Sequence, residues 1–425
     1  MKLSITPSHL HGVVDVPASK SIMHRALICA ALAKGKSIIH NTYVSQDITA
    51  TMDCLTQLGA SFVVHEDTIE VHGIEQAAPA ANLFCGESGS TIRFLIPIAA
   101  ALDVNAAFSG TGKLVSRPLQ LYRDAFIGKG VTFDYTGMLP ANLSGQLKSG
   151  LYCIPGNVSS QFITGLLFAL PILEGDSVLE VLPPFESKSY VDITLSCLRA
   201  FGIEVENEGN TYHIPGGQQY RATDYAVESD YSQAAFFLVA NALGNDLTLR
   251  TFGEQSVQGD SAILRILSEA GVESHRQNGA LTNTVQKLSA FHIEASDIPD
   301  LVPILCVLAC FCDGVSTIQK VERLKIKESD RIASTMDIVT RLGGTIAYAD
   351  DTITITGGMT HFQSAVLPSY NDHRIAMAGA IAATKANGDI TIEDAGCVRK
   401  SFPTFFETYQ QLGGNCHVIH VDERN

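Results

Sequence analysis

The stretch Lys327-Glu328-Ser329-Asp330-Arg331 packs both charge signs into five residues and leads into the helix-like run Ile332 to Leu342. At a helix start the first backbone N–H groups lack intrahelical partners and can satisfy an anion. Lys327 and Arg331 are four apart, so on a helix they share a face. Glu328 is then a carboxylate among cations, placed for proton transfer beside a bound anion. The bland alternative is a solvated, charged helix start without a ligand.

Similar polar clusters recur. Lys20, Ser21 and Arg25 open an apolar run. A lysine at a helix start opposes the helix dipole, which costs stability unless an anion binds nearby or the end is simply solvated. In Gly86-Glu-Ser-Gly-Ser-Thr-Ile-Arg93 the small residues let backbone N–H groups approach a ligand, or form a tight turn. Gly110-Thr-Gly-Lys113 imitates a P-loop and fails, with Ala107 at the first glycine and Leu114 replacing Ser or Thr, so an ATPase is excluded. Arg117-Pro118 places a cation before a helix. Ser159-Ser160-Gln161 reads either as a cap or as a phosphate or polyol contact. Asp300 reads as a first-turn acid or as a base for a hydroxyl proton. His373 reads as a satisfied structural histidine or a functional one. Arg374 suits bidentate carboxylate or phosphate recognition, and Arg399-Lys400 adds a cationic pair.

The elements that must position these residues repeat. Glycines follow helix-like runs at 59, 130, 202, 271, 343 and 413, about 70 residues apart. Each sits where a helix needs a left-handed C-terminal residue, and β-like alternation follows several of them, as in Ser61-Phe-Val-Val64 and Thr345-Ile-Ala-Tyr348. Roughly 40 residues before each glycine a polar cluster opens an almost wholly apolar helix, and such a helix is buried. Six α/β units, three per domain, account for the length. The expected domains are residues 1–16 with 229–425, and residues 17–228, with the N-terminal segment as a strand that pairs with the second half. Parallel buried helices would gather their positive ends at one end of each domain, and two such ends facing each other would hold dianions.

Composition bounds the partners. A chain of 425 residues is too long for one ordinary core. A hydrophobic content of 46% describes a folded soluble protein, and a formal charge of −15 argues against nucleic acid or an anionic membrane. The ten cysteines include no CxxC pair, and Cys306, Cys310 and Cys312 read as small buried hydrophobes. That pattern suits the cytoplasm, and the N-terminus lacks the apolar core of a signal peptide.

Taken in order, Ser19-Lys-Ser to Arg25, Gly86 to Arg93, Arg117-Pro118, Val158 to Phe162, Ser187-Lys-Ser-Tyr190, Ile298-Pro-Asp300, Lys327 to Arg331, Asn371-Asp-His-Arg374 and Lys400-Ser-Phe-Pro403 resemble the 5-enolpyruvylshikimate-3-phosphate synthase family. The resemblance implies a two-domain inside-out α/β barrel of six βαβαββ repeats. It implies transfer of the enolpyruvyl group from phosphoenolpyruvate to the 5-hydroxyl of shikimate 3-phosphate by addition and elimination, with no metal or organic cofactor and a monomeric chain. By position, Lys20, Asp300 and Glu328 would be catalytic. Lys20, Gly89, Arg93, Arg117, Gln161, Arg331, Arg374 and Lys400 would hold phosphoenolpyruvate. Lys20, Ser21, Arg25, Ser159, Ser160, Gln161, Ser187, Tyr190, Asp300 and Lys327 would hold shikimate 3-phosphate. The phosphoenolpyruvate side, with the acid/base residues, falls to residues 1–16 with 229–425, and the shikimate 3-phosphate side to residues 17–228. Glu87 and Arg323 stand where many relatives have Asn, Ser90 and Phe94 replace the more familiar Thr and Pro, and neither Glu87 nor Arg323 is assigned.

Two rivals make different demands. The related transferase acting on UDP-N-acetylglucosamine typically uses a loop cysteine as acid, and the Ser109 to Pro118 loop has none. A silent phosphosugar-binding protein is expected to lose Asp300 or Glu328, and both are present.

Overall fold

The computed structural model describes residues 1–250 and 256–419. The chain divides into two compact units, Met1–Pro17 with Ser229–Asn425, and Ala18–Glu228.

Among the described residues each unit contains three four-stranded sheets. All six share one pairing scheme, in which two parallel strands are extended by two antiparallel ones. In one of them Ala80–Phe84 runs parallel to Asn105–Ser109, which pairs antiparallel with Ala141–Ser144, itself antiparallel to Thr132–Asp134. Strand alternation sets the inward faces. In Thr352–Thr356 the isoleucines 353 and 355 are buried and Thr356 is exposed. All six repeat glycines have positive φ, from +77° to +117°, the backbone that reverses the chain after a helix.

The helices fall into two kinds. In the Ala18–Glu228 unit, Lys20–Leu32, Gly89–Ala101 and Ser160–Ala169 are buried almost all round. Their outer companions include Gln46–Leu58 and Lys188–Ala200, which bury only one face. In the other unit Tyr231–Ala242, Val302–Ala309 and His373–Ala383 are buried, with Arg331–Arg341 among the outer helices. Removing a side chain such as Leu27, which has no exposed surface, costs about 2–5 kcal/mol.

The N-terminal segment forms two strands rather than one. Lys2–Thr6 lies between Ile390–Glu393 and Asn415–Ile419, and His11–Asp15 runs parallel to Asp246–Arg250. Pro7 has no N–H to donate and ends the first strand. No helix among the described residues is long and apolar enough to cross a membrane.

Candidate active site

Two polar clusters form at helix starts, one in each unit. In the unit containing Ser229–Asn425, Asp330 caps helix Arg331–Arg341 by accepting from the N–H groups of Ile332 and Ala333. That cap fixes Arg331, whose side chain is 1% exposed. Its Nε donates to Asp372 Oδ2 at 2.7 Å, Nη1 to Asp300 Oδ1 at 2.7 Å and Nη2 to Glu328 Oε2 at 2.7 Å. Asp372 in turn caps helix His373–Ala383 and accepts from Ser329 Oγ at 3.1 Å. One guanidinium thus joins two helix starts.

Arg374 donates through Nη2 to Asp300 Oδ2 at 2.8 Å and through Nη1 to the Asp300 carbonyl at 3.2 Å. Lys327 Nζ stands 3.8 Å from Asp300 Oδ1. Burial alone would raise the Asp300 carboxyl, but Arg374, Lys327 and Arg331 outweigh it and hold it well below the usual carboxylate range. Burial pulls the Lys327 ammonium down, and Arg323 and Arg331 add to the effect against Asp300, leaving it at about 8. Lys400 Nζ donates to the Asn371 carbonyl at 2.7 Å, just before the Asp372 cap. The His373 ring is buried, with Nδ1 3.9 Å from Asp372.

In the Ala18–Glu228 unit, Gly89 begins a buried helix capped by Ser88. A methyl group on Gly89 would lie 2.6 Å from Arg117 Nη1 and 2.9 Å from Arg93 Nη1. Any larger residue would have to push both guanidinium groups away from this helix start. Arg93 Nη1 donates to Gln161 Oε1 at 2.7 Å, and Gln161 Nε2 donates to Ser90 Oγ at 2.9 Å. Lys20, at the first position of its own buried helix, pairs with Asp47 at 2.8 Å.

Arg25 is buried among uncharged oxygens. It donates to the hydroxyls of Thr194 and Thr164 and to the carbonyls of Ser21 and Tyr190. Ser159 Oγ accepts from the Gln161 N–H and caps helix Ser160–Ala169. Ser187, in a left-handed conformation, precedes helix Lys188–Ala200.

The structure therefore gathers Asp300, Lys327, Glu328, Arg331 and Arg374 in one cluster, with Lys400 bonded at the neighbouring helix start. It gathers Gly89, Arg93, Arg117 and Gln161 in another. Ser21 meets Arg25 through its carbonyl rather than its hydroxyl. Glu87 turns to the neighbouring loop, where a methyl group on Gly112 would lie 2.9 Å from Glu87 Oε1. Sequence reasoning placed Asp372 in the polar cluster at its helix start but gave it no role, and it missed Asp47. Asp372 carried a usable signal, a capping acid two residues before Arg374. Asp47 carried none, being 27 residues from Lys20.

Solved structures show the same architecture. An enolpyruvyl transferase of Streptomyces tendae matches with a TM-score of 0.79 at 18% identity, covering 98% of each chain. The fold is thus the two-domain inside-out α/β fold. EPSP synthase of Acinetobacter baumannii matches with a TM-score of 0.82 at 27% identity, covering 98% of this chain and 100% of the other. A 3-phosphoshikimate 1-carboxyvinyltransferase of Clostridium kluyveri is 42% identical over 417 residues, 97% of either chain. A family profile for EPSP synthase (3-phosphoshikimate 1-carboxyvinyltransferase) matches residues 5–409, and the chain belongs to that family. It transfers the enolpyruvyl group of phosphoenolpyruvate to shikimate 3-phosphate, a step of aromatic amino-acid biosynthesis.

Proposed function

We propose that the two units divide the work of this transfer. The Ala18–Glu228 unit binds the shikimate 3-phosphate anions through Lys20, Ser21, Arg25, Ser159, Ser160, Gln161, Ser187 and Tyr190. It also contributes Lys20, Gly89, Arg93, Arg117 and Gln161 to phosphoenolpyruvate. The other unit contributes Arg331, Arg374 and Lys400 to phosphoenolpyruvate, Lys327 to shikimate 3-phosphate, and the acid/base pair Asp300 and Glu328.

The observation that supports this most is the sharing of the Arg331 guanidinium by Asp300 and Glu328, with Arg374 on the far oxygen of Asp300. Asp300 is ionised, as a base must be, but three cations make it a weak one. Substrate anions compete for Lys327 and Arg374. As those cations turn to the substrates, Asp300 becomes more basic and takes the 5-hydroxyl proton. The alkoxide oxygen bonds to C2 of phosphoenolpyruvate while Glu328 or Lys20 delivers a proton to the methylene carbon. The tetrahedral intermediate then expels phosphate as the group that protonated the methylene takes a proton back from the new methyl group, which restores the vinyl group. Preorganised cations stabilise the phosphate charge throughout, so the reading invokes no cofactor.

Phosphate release tests the reading, with phosphoenolpyruvate paired either with shikimate 3-phosphate or with UDP-N-acetylglucosamine. Turnover with the second acceptor alone would overturn it. Asp300→Ala and Glu328→Ala are expected to bind both substrates and lose about 10²–10⁴ in kcat. Weakened binding with full kcat would reject their roles. Arg374→Ala is expected to weaken phosphoenolpyruvate binding more than shikimate 3-phosphate binding, and equal weakening by titration would reject that assignment. The reading places the chain in the cytoplasm as a monomer with small-molecule partners, in keeping with its ten free thiols. A dimer mass by light scattering would correct the oligomeric state.

A further inference from the structure

Behind the phosphoenolpyruvate cations of the Ala18–Glu228 unit runs a chain of side-chain hydrogen bonds with almost no exposed surface. His24 Nδ1 lies 2.8 Å from Thr51 Oγ1, which lies 2.7 Å from Thr91 Oγ1, which donates to Ser88 Oγ at 2.7 Å. His24, Thr51 and Thr91 are fully buried and Ser88 is 1% exposed. The four residues belong to the starts or early turns of three helices, Lys20–Leu32, Gln46–Leu58 and Gly89–Ala101.

The chain has a direction. Burial, followed by the charges of Lys20 and Arg25, keeps the His24 imidazole neutral, so it carries one N–H. Nε2 has no hydrogen-bond partner among the described residues, and the ring stands edge-on to Phe94. A buried N–H without a partner is rarer and more costly than a buried lone pair, which puts the proton on Nδ1. His24 then donates to Thr51, Thr51 to Thr91 and Thr91 to Ser88. The Ser88 oxygen also receives the Thr91 backbone N–H at 3.2 Å and so caps the Gly89 helix. The Asp47 carbonyl lies within reach of the hydroxyls of Thr51, at 3.3 Å, and Thr91, at 3.5 Å. The Asp47 carboxylate holds Lys20.

We propose that this buried chain is a positioning network for phosphoenolpyruvate, in which His24, Thr51, Thr91 and Ser88 lock the helix bearing Lys20 to the helix bearing Gly89 and Arg93. None of the four is assigned to touch substrate. They fix the spacing of groups that do, through Asp47 on one side and the Ser88 cap on the other. Valine would fill the Thr51 site in shape but remove the hydroxyl that links His24 to Thr91. The inference rests on the proposed roles of Lys20, Gly89 and Arg93.

Thr51→Val tests it, because it keeps the side-chain shape and removes the hydroxyl. The KM for phosphoenolpyruvate is expected to rise about tenfold, since small misplacements of binding groups are costly. The KM for shikimate 3-phosphate is expected to rise clearly less, because Lys20 serves both substrates but Arg25 keeps its own bonds to Thr194, Thr164 and Tyr190, and Thr51→Ser is expected to restore the original values. An unchanged KM for phosphoenolpyruvate would overturn the proposal. So would an equal rise in both KM values with a lower melting temperature, which is the mark of a merely structural residue. Should Thr51→Val fail to fold, Ser88→Ala takes its place with the same selective rise expected and the same outcomes decisive. Lys20→Ala and Arg93→Ala separate the two levels of argument. If neither changes phosphoenolpyruvate binding, the assignment of that site fails; if both do and Thr51→Val does not, only the network fails.

Discussion

Arg25 and Arg331 are both buried arginines near helix starts, one in each unit, and they are held in opposite ways. Arg25 is surrounded by two hydroxyls and two carbonyls, with the Phe94 ring 5.2 Å from its guanidinium carbon. Those oxygens satisfy its N–H groups without cancelling its charge, and burial lowers its pKa to about 10. Arg331 is gripped by Asp372, Asp300 and Glu328. Burial lowers its pKa too, but the three carboxylates outweigh it and raise the value well above the ordinary one. A cation on neutral oxygens keeps its attraction for an anion and lacks only a partner. A cation on three carboxylates shares that attraction between an incoming anion and the acids it holds in place. The first arrangement suits binding alone, and the second couples binding to acid–base chemistry.

The sharpest way to break that contrast is to neutralise each arginine without changing its bulk much. Arg331→Met leaves Asp372 and Glu328 facing a neutral side chain, while Asp300 keeps Arg374, and is expected to cost about 3–5 kcal/mol of stability. Arg25→Met is expected to cost roughly 1–3 kcal/mol, since it strands only neutral oxygens. Equal losses in urea unfolding would erase the distinction. In the assay, Arg25→Met is expected to raise the KM for shikimate 3-phosphate roughly 10–100-fold, the worth of a charged hydrogen-bonded contact. An unchanged KM would remove Arg25 from the binding group.

Lys327 sharpens the contrast by pH. Its folded-state pKa is pulled down to about 8, so the cation is lost as pH rises through that value. The KM for shikimate 3-phosphate is expected to climb, at most about tenfold per pH unit, above that point, and Lys327→Arg is expected to flatten the rise. A flat wild-type profile up to pH 9.5 would reject Lys327 as a ligand. For stability, the unfolded chain keeps this proton between about 8 and 10.5, so the cost of burying the charge shrinks across that window.

The smallest expected effect is at Asp260, which accepts a short hydrogen bond from Ser232. Burial first, then the charges of Asp300 and Asp230, push its pKa up to about 7. The folded chain holds a proton there that the unfolded chain releases above about 4, so this contribution to stability is lost as pH rises from 4 to 7. Asp260→Asn mimics the protonated form. It is expected to gain a few degrees in melting temperature over the parent at pH 8 and almost nothing at pH 4. The same gain at both pH values would show that its carboxyl does not titrate in this range.

The repeat is legible in the spacing of its glycines. Six glycines about 70 residues apart mark the ends of six α/β units, and all six have positive φ. Apolar runs separated the buried helices from the outer ones, because burial on every side removes the polar face. The Lys327–Arg331 stretch stood out because its charges are adjacent in the chain. Which acid meets which cation emerged only once distant elements packed together. Asp372 is 41 residues from Arg331, and Asp300 is 74 from Arg374. Nor did the sequence show that the Glu87 carboxylate lies against Gly112, or that three helices share a hydrogen-bonded chain from His24 to Ser88. Periodicity reports which face of an element is buried. Which two faces touch, and at what rotation, follows from the packing of elements distant in sequence, and a charge or hydroxyl pairs over only a few ångströms.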